Sequence, residues 1–368
     1  MIFIAGGTLA FFFELLLLAK KTKSVSDRIL AFWMFIIGLH LFCYYFYIRD
    51  INFSHPFLIG ISSPFPFTHG PMLFLYTGSL TSYFTKWKPK YFLHFLPVLL
   101  IYIYYFEFFI SSPEGRIEFV NNLTRNPDIV QKSYFPLVLI SGFSYISLTY
   151  LLFRRHHRNI LNNLSNSNES NNLHWLMNLL SGMLVIWVVV LLSHFVTDSF
   201  PQDTFIYISV SLFVVFIGFF GLRQGNIFMN HQKCSLIEGL TEDSQQRYSK
   251  SGLKEERADE IKKQLKELMD EKKLFLDENI SLPQLADLIN IHPNYLSQVI
   301  NERFQKNFYD FINSYRVAEF KRIVAIEKNR NKTFYALALA CGFNSKASFN
   351  NSFKKLTGTT PSEFVKSL

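Results

Sequence analysis

The chain has 368 residues, 49% of them hydrophobic and 17% aromatic, yet its formal net charge is +9. Apolar residues and charges are segregated: residues 1–222 hold long apolar runs, while residues 223–368 read as an ordinary charged globular segment. This excludes one uniform soluble domain, and a length of this order points to two or three domains.

A bilayer core about 30 Å thick needs roughly 20 mostly apolar residues in a helix. Seven stretches meet that need: Ile2–Leu18, Ile29–Ile48, Phe67–Phe84, Tyr91–Ile110, Tyr134–Phe153, Leu173–Val196 and Phe205–Leu222. The third is the least apolar, opening on Thr68, His69, Gly70 and Pro71. The first has the hydrophobicity of a signal peptide but neither a preceding basic region nor a small-residue cleavage site, so a retained helix is expected. Lys20, Lys21, Lys23 and Arg28 lie between stretches one and two, Lys86, Lys88 and Lys90 between three and four, and Arg154, Arg155 and Arg158 between five and six. The intervening connections hold fewer: Arg49, then Arg116, Arg125 and Lys132, then none. By the positive-inside rule the N-terminus is expected outside and everything after Leu222 in the cytoplasm.

Ionisable groups within apolar stretches are functional candidates by default. Glu14 and Glu107 lie near stretch ends and can reach the interface. His40, His94 and His194 are candidate ligand contacts, with interhelical hydrogen bonding as the competing role. His156 and His157, among arginines, read as part of a basic loop that continues into the Asn/Ser-rich segment Asn162–Asn172. Cys43, Cys234 and Cys341 show no disulfide or metal-ligand spacing, and no phosphate-binding glycine loop or catalytic triad motif is present. No cofactor, metal or enzymatic activity is therefore expected.

After a polar linker (residues 223–253), Glu255–Lys273 is amphipathic, with Ala258, Ile261, Leu265 and Leu268 on one stripe. It reads either as a short dimer seam or as the buried opening helix of the last domain. Two helix-turn-helix units follow, at residues 281–304 and 333–357. In the first, Ser281 and Gln284 form a capping box. Leu285, Ala286, Leu288 and Ile289 supply an apolar face, Asn290 tolerates the left-handed turn, and His292-Pro293 starts a helix. Leu296, Val299 and Ile300 would pack that helix onto the first. In the second unit Ala338, Gly342 and Phe343 repeat Ala286, Asn290 and Ile291 about 52 residues on, and Ser345 opens a helix anchored by Phe349 and Phe353. Between the units, Asn307–Ile326 predicts about 30 Å of helix, enough to hold two recognition helices roughly one DNA turn apart. From Lys272 onward there are 14 Lys/Arg and 8 Asp/Glu. Lys306, Arg316, Lys321, Arg322, Lys346, Lys354 and Lys355 are candidates for phosphate contact.

YLSQVIN (Tyr295–Asn301), FINSYRVAEFKRIV (Phe311–Val324) and CGFNSKASFNNSFKKLTGTTPSEF (Cys341–Phe364) resemble the AraC/XylS-type DNA-binding domain over about Ile261–Leu368. His69-Gly70-Pro71 and His94-Phe95-Leu96-Pro97 are similar to regulators that carry this domain behind seven membrane helices. The fold expected is all-α: a polytopic seven-helix membrane domain (1–222) followed by a double helix-turn-helix domain (254–368). The resemblance implies that Asn294, Ser297, Gln298 and Asn301 serve one major-groove segment and Ser345, Lys346, Asn350 and Asn351 the next, with Lys354 and Lys355 nearer the backbone. Gln298 and Asn351 stand where many relatives carry arginine, Asn307 where glycine is usual, and Val365 where arginine is frequent, so the target sequence does not carry over.

The implied function is a membrane-bound one-component transcription regulator in a bacterial cytoplasmic membrane. Its implied partners are promoter DNA, RNA polymerase, the lipid bilayer, a small-molecule ligand and a second copy of the chain. A transporter or simple tether with an autoregulatory DNA-binding tail is the alternative.

Overall fold

The computed structural model describes residues 1–81, 83–84, 88–166, 174–195, 203–223, 253–326 and 332–367. The chain divides into two compact units, Met1–Arg154 with His174–Glu238, and Arg155–Leu173 with Gly239–Leu368. Most of the expected linker, and Cys234 with it, lies outside the described residues.

The first unit is built of helices α1 (Ile2–Leu18), α2 (Val25–Ile48), α3 (Pro66–Leu80), α4 (Leu96–Tyr104), α5 (Phe106–Ile110), α6 (Pro113–Arg125), α7 (Ile129–Asn163, which continues past the unit's boundary), α8 (His174–Ser193) and α9 (Thr204–Arg223). Each of the seven apolar stretches is helical over most of its described residues, the third as far as Leu80, but the fourth is not one helix. A 3-10 segment at Pro89–Phe95 precedes α4, and α5 follows after Tyr105. Pro97 lacks an N–H and has its φ preset, which suits the first turn of α4, where it stands; Pro71 and Pro136, by contrast, lie inside α3 and α7. Three of the described helices are long and apolar enough to cross a membrane: Val25–Ile48, Ile129–Asn163 and Trp175–Ser193.

α1 and α2 pack closely through reciprocal glycine–phenylalanine contacts. A Cβ on Gly7 would stand 2.8 Å from the Phe42 ring, and one on Gly38 would stand 2.8 Å from Phe11. Small residues at such crossings let backbones approach where hydrophobic exclusion gives no drive. Inside lie Trp33, Leu41, Leu73, Leu176 and Val214; outside, Leu99, Leu100, Ile103, Ile140, Val185 and Leu212 are exposed. Large apolar side chains exposed in this number mark surfaces that a partner or a membrane covers.

The second unit carries α10 (Glu255–Asp270), α11 (Leu282–Leu288), α12 (Pro293–Phe304), α13 (Phe308–Val324), α14 (Phe334–Ala340), α15 (Lys346–Thr357) and α16 (Pro361–Lys366). Two separate cores share α13. Phe308, Phe311 and Ile312 enter a core with Ile261, Leu265, Leu285, Leu296 and Val299. Val317 and Phe320, one to two turns later, enter a core with Leu337, Cys341, Phe343, Phe349 and Phe353. The stripe of α10 is buried in the first core, so of its two readings the opening helix holds.

Both helix-turn-helix turns close the same way. Ile291 N–H donates to the Ala286 carbonyl and Phe343 N–H to that of Ala338, each at 3.1 Å. This six-to-one bond needs a left-handed residue before it, supplied by Asn290 (φ 52°) and Gly342 (φ 88°). Gly342 is also hemmed in, since a Cβ there would meet the Phe275 carbonyl oxygen at 2.5 Å. Gly342→Ala should therefore destabilise the second unit by on the order of 2–4 kcal/mol, from strain plus collision. Asn290→Gly should change stability by less than about 1 kcal/mol. Hydrogen exchange in the detergent-solubilised chain, of α14 and α15 for Gly342→Ala and of α11 and α12 for Asn290→Gly, measures them, and an equal response to the two substitutions would refute the steric account.

Candidate nucleic-acid interface and ligand cavity

Each second helix is aimed by its cap. His292 Nδ1 accepts the Asn294 N–H at 3.2 Å ahead of α12, and Ser345 Oγ accepts the Ser348 N–H at 3.1 Å ahead of α15. Ser345, expected at the bases, thus acts at least as an N-cap. Asn294, Lys346, Asn350, Asn351, Lys354 and Lys355 are exposed; Ser297 and Asn301 are half-buried, and Asn301 Nδ2 donates to the Ser297 carbonyl at 2.9 Å. Gln298 is different from the expectation. It is only 8% exposed, and its amide donates to Glu302 Oε1 at 3.0 Å, one turn along the same helix. It is not displayed as an open reading group.

α13 holds the second reading helix at several points. Tyr309 and Ser348 hydroxyls lie 3.0 Å apart, Lys355 Nζ sits 2.6 Å from Asp310, and Phe320 packs on Phe349 with ring centroids 4.6 Å apart. Asn307, in the place where glycine is usual, caps α13: its Oδ1 accepts the Asp310 N–H at 2.7 Å. Lys355 is thereby partly neutralised, leaving Lys354 and Lys346 as the more open cations of this helix.

Arg316, named above among phosphate candidates, is fully buried. It lies on α13 between the residues that enter the two cores, and all its partners are oxygens of amides or a hydroxyl. Nε donates to the Phe275 carbonyl at 2.7 Å, and Nη2 to the Asp277 carbonyl at 2.8 Å and Ser165 Oγ at 3.2 Å. Nη1 donates to the Ser165 carbonyl at 3.0 Å and Asn166 Oδ1 at 2.8 Å. A guanidinium with no carboxylate among these partners bears the cost of burial directly, and its pKa is pushed down to about 10. Periodicity cannot reveal this, because an arginine beside a hydrophobic stripe is usually a solvated edge.

The first unit carries a half-open cavity of about 620 Å³, lined in part by Trp33, His40, His69, Tyr134, Trp187 and Tyr207. His40 and His194 line it; His94 does not, and instead its Nδ1 lies 2.8 Å from the Tyr145 hydroxyl. His194 stacks on Phe135 at 4.2 Å. A polar chain crosses the wall. Trp33 Nε1 donates to His69 Nδ1 at 3.2 Å, His69 Nε2 meets His40 Nδ1 at 3.3 Å, and His40 Nε2 meets the Tyr207 hydroxyl at 2.8 Å. Indole can only donate. With neutral imidazoles, each histidine then passes a proton forward from Nε2, and Tyr207 is left with its own hydroxyl hydrogen to give. Trp33 and Tyr207 carry no signal in the sequence, because neither tryptophan nor tyrosine is exceptional in so aromatic a segment; His69 does carry one, as an ionisable group within the third apolar stretch.

The comparisons with known proteins bear on the second unit. Residues 285–367 match the family model described as a helix-turn-helix domain. The C-terminal region is a helix-turn-helix domain. Over 86 residues, 23% of this chain, it is 31% identical to the uncharacterized HTH-type transcriptional regulator YobQ of Bacillus subtilis (strain 168), covering 34% of that protein. Over 91 residues, 25% of this chain, it is 30% identical to the uncharacterized HTH-type transcriptional regulator SACOL0084 of Staphylococcus aureus (strain COL), covering 12% of that protein. The chain thus matches about a third and an eighth of these relatives' lengths. No solved structure matches it.

Behind the second turn of this domain, Glu319 sits between Arg322 and Lys273. Arg322 Nη2 lies 2.7 Å and Lys273 Nζ 3.1 Å from its carboxylate. Hydrogen bonding from Arg322, and then from Lys273, holds the carboxyl down to about 2. A depressed carboxyl pKa adds stability that is complete above the unfolded pKa and is lost as pH falls toward the folded value. Acidification from pH 5 to pH 2 should therefore destabilise the second unit, and Glu319→Gln should flatten that response by about 1–2 kcal/mol after solvent screening of the exposed partners. Equal acid sensitivity in the two proteins, followed by hydrogen exchange of α13, would refute this pairing as a stabilising one.

Proposed function

We propose that the chain is a membrane-bound one-component transcription regulator of a bacterial cytoplasmic membrane. In this reading the first unit spans the bilayer seven times with its N-terminus outside, senses a small molecule, and alters how the cytoplasmic domain occupies promoter DNA. The observation that carries it is two helix-turn-helix units built on one shared 17-residue helix, in a chain with three helices apolar enough to cross a membrane. A helix of that length is about 26 Å, which suits two successive major-groove contacts on one face of a duplex.

Asn294 and Ser297 serve one groove segment in this proposal, and Lys346, Asn350 and Asn351 the next. Asparagine suits adenine by two hydrogen bonds, and lysine at the helix end suits phosphate. Gln298 and Asn301 support the first helix from beneath. Contact with RNA polymerase and pairing of two copies on the promoter complete the reading. The cavity favours sensing over simple anchoring. Its described lining carries Asp203 as a formally charged group among many aromatic rings, a composition that disfavours an anionic ligand.

Chromatin immunoprecipitation of the intact protein, followed by selection from a randomised DNA pool, tests the reading, and recovery of no preferred sequence would sink it. Within the selected sites, Asn351→Ala should relax preference at one or two base pairs at a cost of about 1–3 kcal/mol. Lys354→Ala should weaken all sequences alike and make the salt dependence shallower by about one ion. Lys355→Ala should do less, because Asp310 already neutralises it in part.

Topology is tested separately. Reporter fusions after Lys23, Lys88, Arg158 and Arg223 should behave as cytoplasmic, and fusions near Asn52, Asn121 and Asp198 as exported. An exported C-terminus would remove the domain from DNA. A compound that changes reporter output through the intact chain, and loses that effect with Trp33→Phe, would place sensing in the cavity; transport of the compound without altered output would favour the transporter reading.

A further inference from the structure

The segment Leu164–Asn166 follows directly on α7, yet it is built into the second unit as a component of its polar centre. A guanidinium offers five N–H donors. Of the five short bonds that Arg316 makes, three end on Ser165 and Asn166: the Ser165 carbonyl, Ser165 Oγ and Asn166 Oδ1. The other two end on the carbonyls of Phe275 and Asp277. The segment is reciprocally held. Asn313 Nδ2 donates to the Ser165 carbonyl at 3.2 Å, Asn166 Nδ2 donates to the Glu278 carbonyl, and Leu164 forms an antiparallel bridge with Ser281. Ser165 and Asn166 are 1% and 7% exposed.

What these residues touch gives the segment its meaning. Phe275, Glu278 and Ser281 belong to the first helix-turn-helix half or its approach. Gly342, whose carbonyl lies 3.5 Å from Asn166 Nδ2, is the turn of the second. Arg316 and Asn313 lie on the helix that both halves share, where one core ends and the other begins. The segment therefore ties together two halves that otherwise meet through α13 and where the Gly342 turn packs against the backbone of Phe275 and Leu276. It bonds to none of the exposed groups Asn294, Lys346, Asn350, Asn351 or Lys354, so it leaves the reading face open.

We infer that Leu164–Asn166 is an intramolecular clamp: docked on Arg316, it fixes the angle between the two helix-turn-helix halves, and its release is the step by which the α7 end of the chain lowers DNA affinity. The inference rests on the DNA-binding reading above. Its physical basis is preorganisation. Two readers held at the right angle bind a duplex without first losing the freedom of a hinge, and a loosened pair binds more weakly with every base contact still present. A guanidinium with three of its acceptors withdrawn is costly to leave buried, so docking and release form two distinct states rather than a continuum.

Arg316→Ala is the obvious variant but removes a support of both halves and tests folding instead. The informative variant is Ser165→Gly with Asn166→Ala, in the full-length chain reconstituted in nanodiscs of phosphatidylethanolamine and phosphatidylglycerol. The probe is duplex DNA selected by the wild-type protein from a randomised pool, with Asn162→Ala as the neighbouring control. The double variant should bind about tenfold more weakly, a loss of preorganisation equivalent to one immobilised linkage. Base preference, and hydrogen-exchange protection within α12 and α15, should stay as in the wild type. Binding within twofold of the wild type, or tighter binding, would overturn the clamp. Loss of protection throughout both cores would also overturn it, since the segment would then be a folding element only. Failure of the wild-type chain to select any DNA would overturn the DNA-binding reading and the clamp together, and is recognised without any variant.

Discussion

The second unit depends on one interaction, the burial of the Arg316 guanidinium where two hydrophobic cores meet on a single helix. Neither half of this domain is large, and each buries its own short helix pair. What joins them is α13, whose early phenylalanines enter one core and whose later residues enter the other. A purely apolar seam would give adhesion without a defined angle. A charged group with directional donors supplies the angle, because each N–H must find an oxygen or leave a costly unpaired donor. The carbonyls of Phe275 and Asp277 and the groups of Ser165 and Asn166 are the oxygens that satisfy it.

The first unit uses a different economy of forces. Apolar side chains face both inward and outward, so burial of apolar surface cannot alone decide how its helices pack. Close contact does so instead: Gly7 and Gly38 admit Phe42 and Phe11 across the α1–α2 crossing. Polar groups are then placed with direction. The relay from Trp33 through His69 and His40 to Tyr207 is ordered by the fact that indole has a proton to give and no lone pair to accept one. The wall of the cavity is thus chemically asymmetric, with a directed run of hydrogen bonds along one side.

Much of this architecture was legible in the sequence because local chemistry and tertiary need agree there. The duplicated turn is the clearest case. Ala286 and Ala338 are small where helices cross, and Asn290 and Gly342 are tolerant of positive φ where the chain reverses. Capping at Ser281 with Gln284 follows from residue type and spacing and is seen as such, and the structure shows Thr360 and Glu363 capping the last helix in the same way. The apolar stretches of residues 1–222 are helical for the equally local reason that long runs of such residues satisfy their backbone only within a helix or a closed sheet.

By itself the sequence determined the all-helical class, the two turns, the helix that links them and the polar candidates for DNA. Each is set by contacts within a few turns of the same segment. Only the tertiary structure decided that the α10 stripe is core rather than seam, that Gln298 turns inward, that His94 pairs with Tyr145 away from the cavity, and that Arg316 is sealed inside rather than offered to phosphate. In three of the four the outcome depends on partners far along the chain: Ser165 stands 151 residues from Arg316, and Tyr145 stands 51 from His94, whereas Gln298 bonds Glu302 one turn along its own helix. A side chain's type and periodicity state what it can bond. Which partner stands within 3 Å of it is a property of the folded chain.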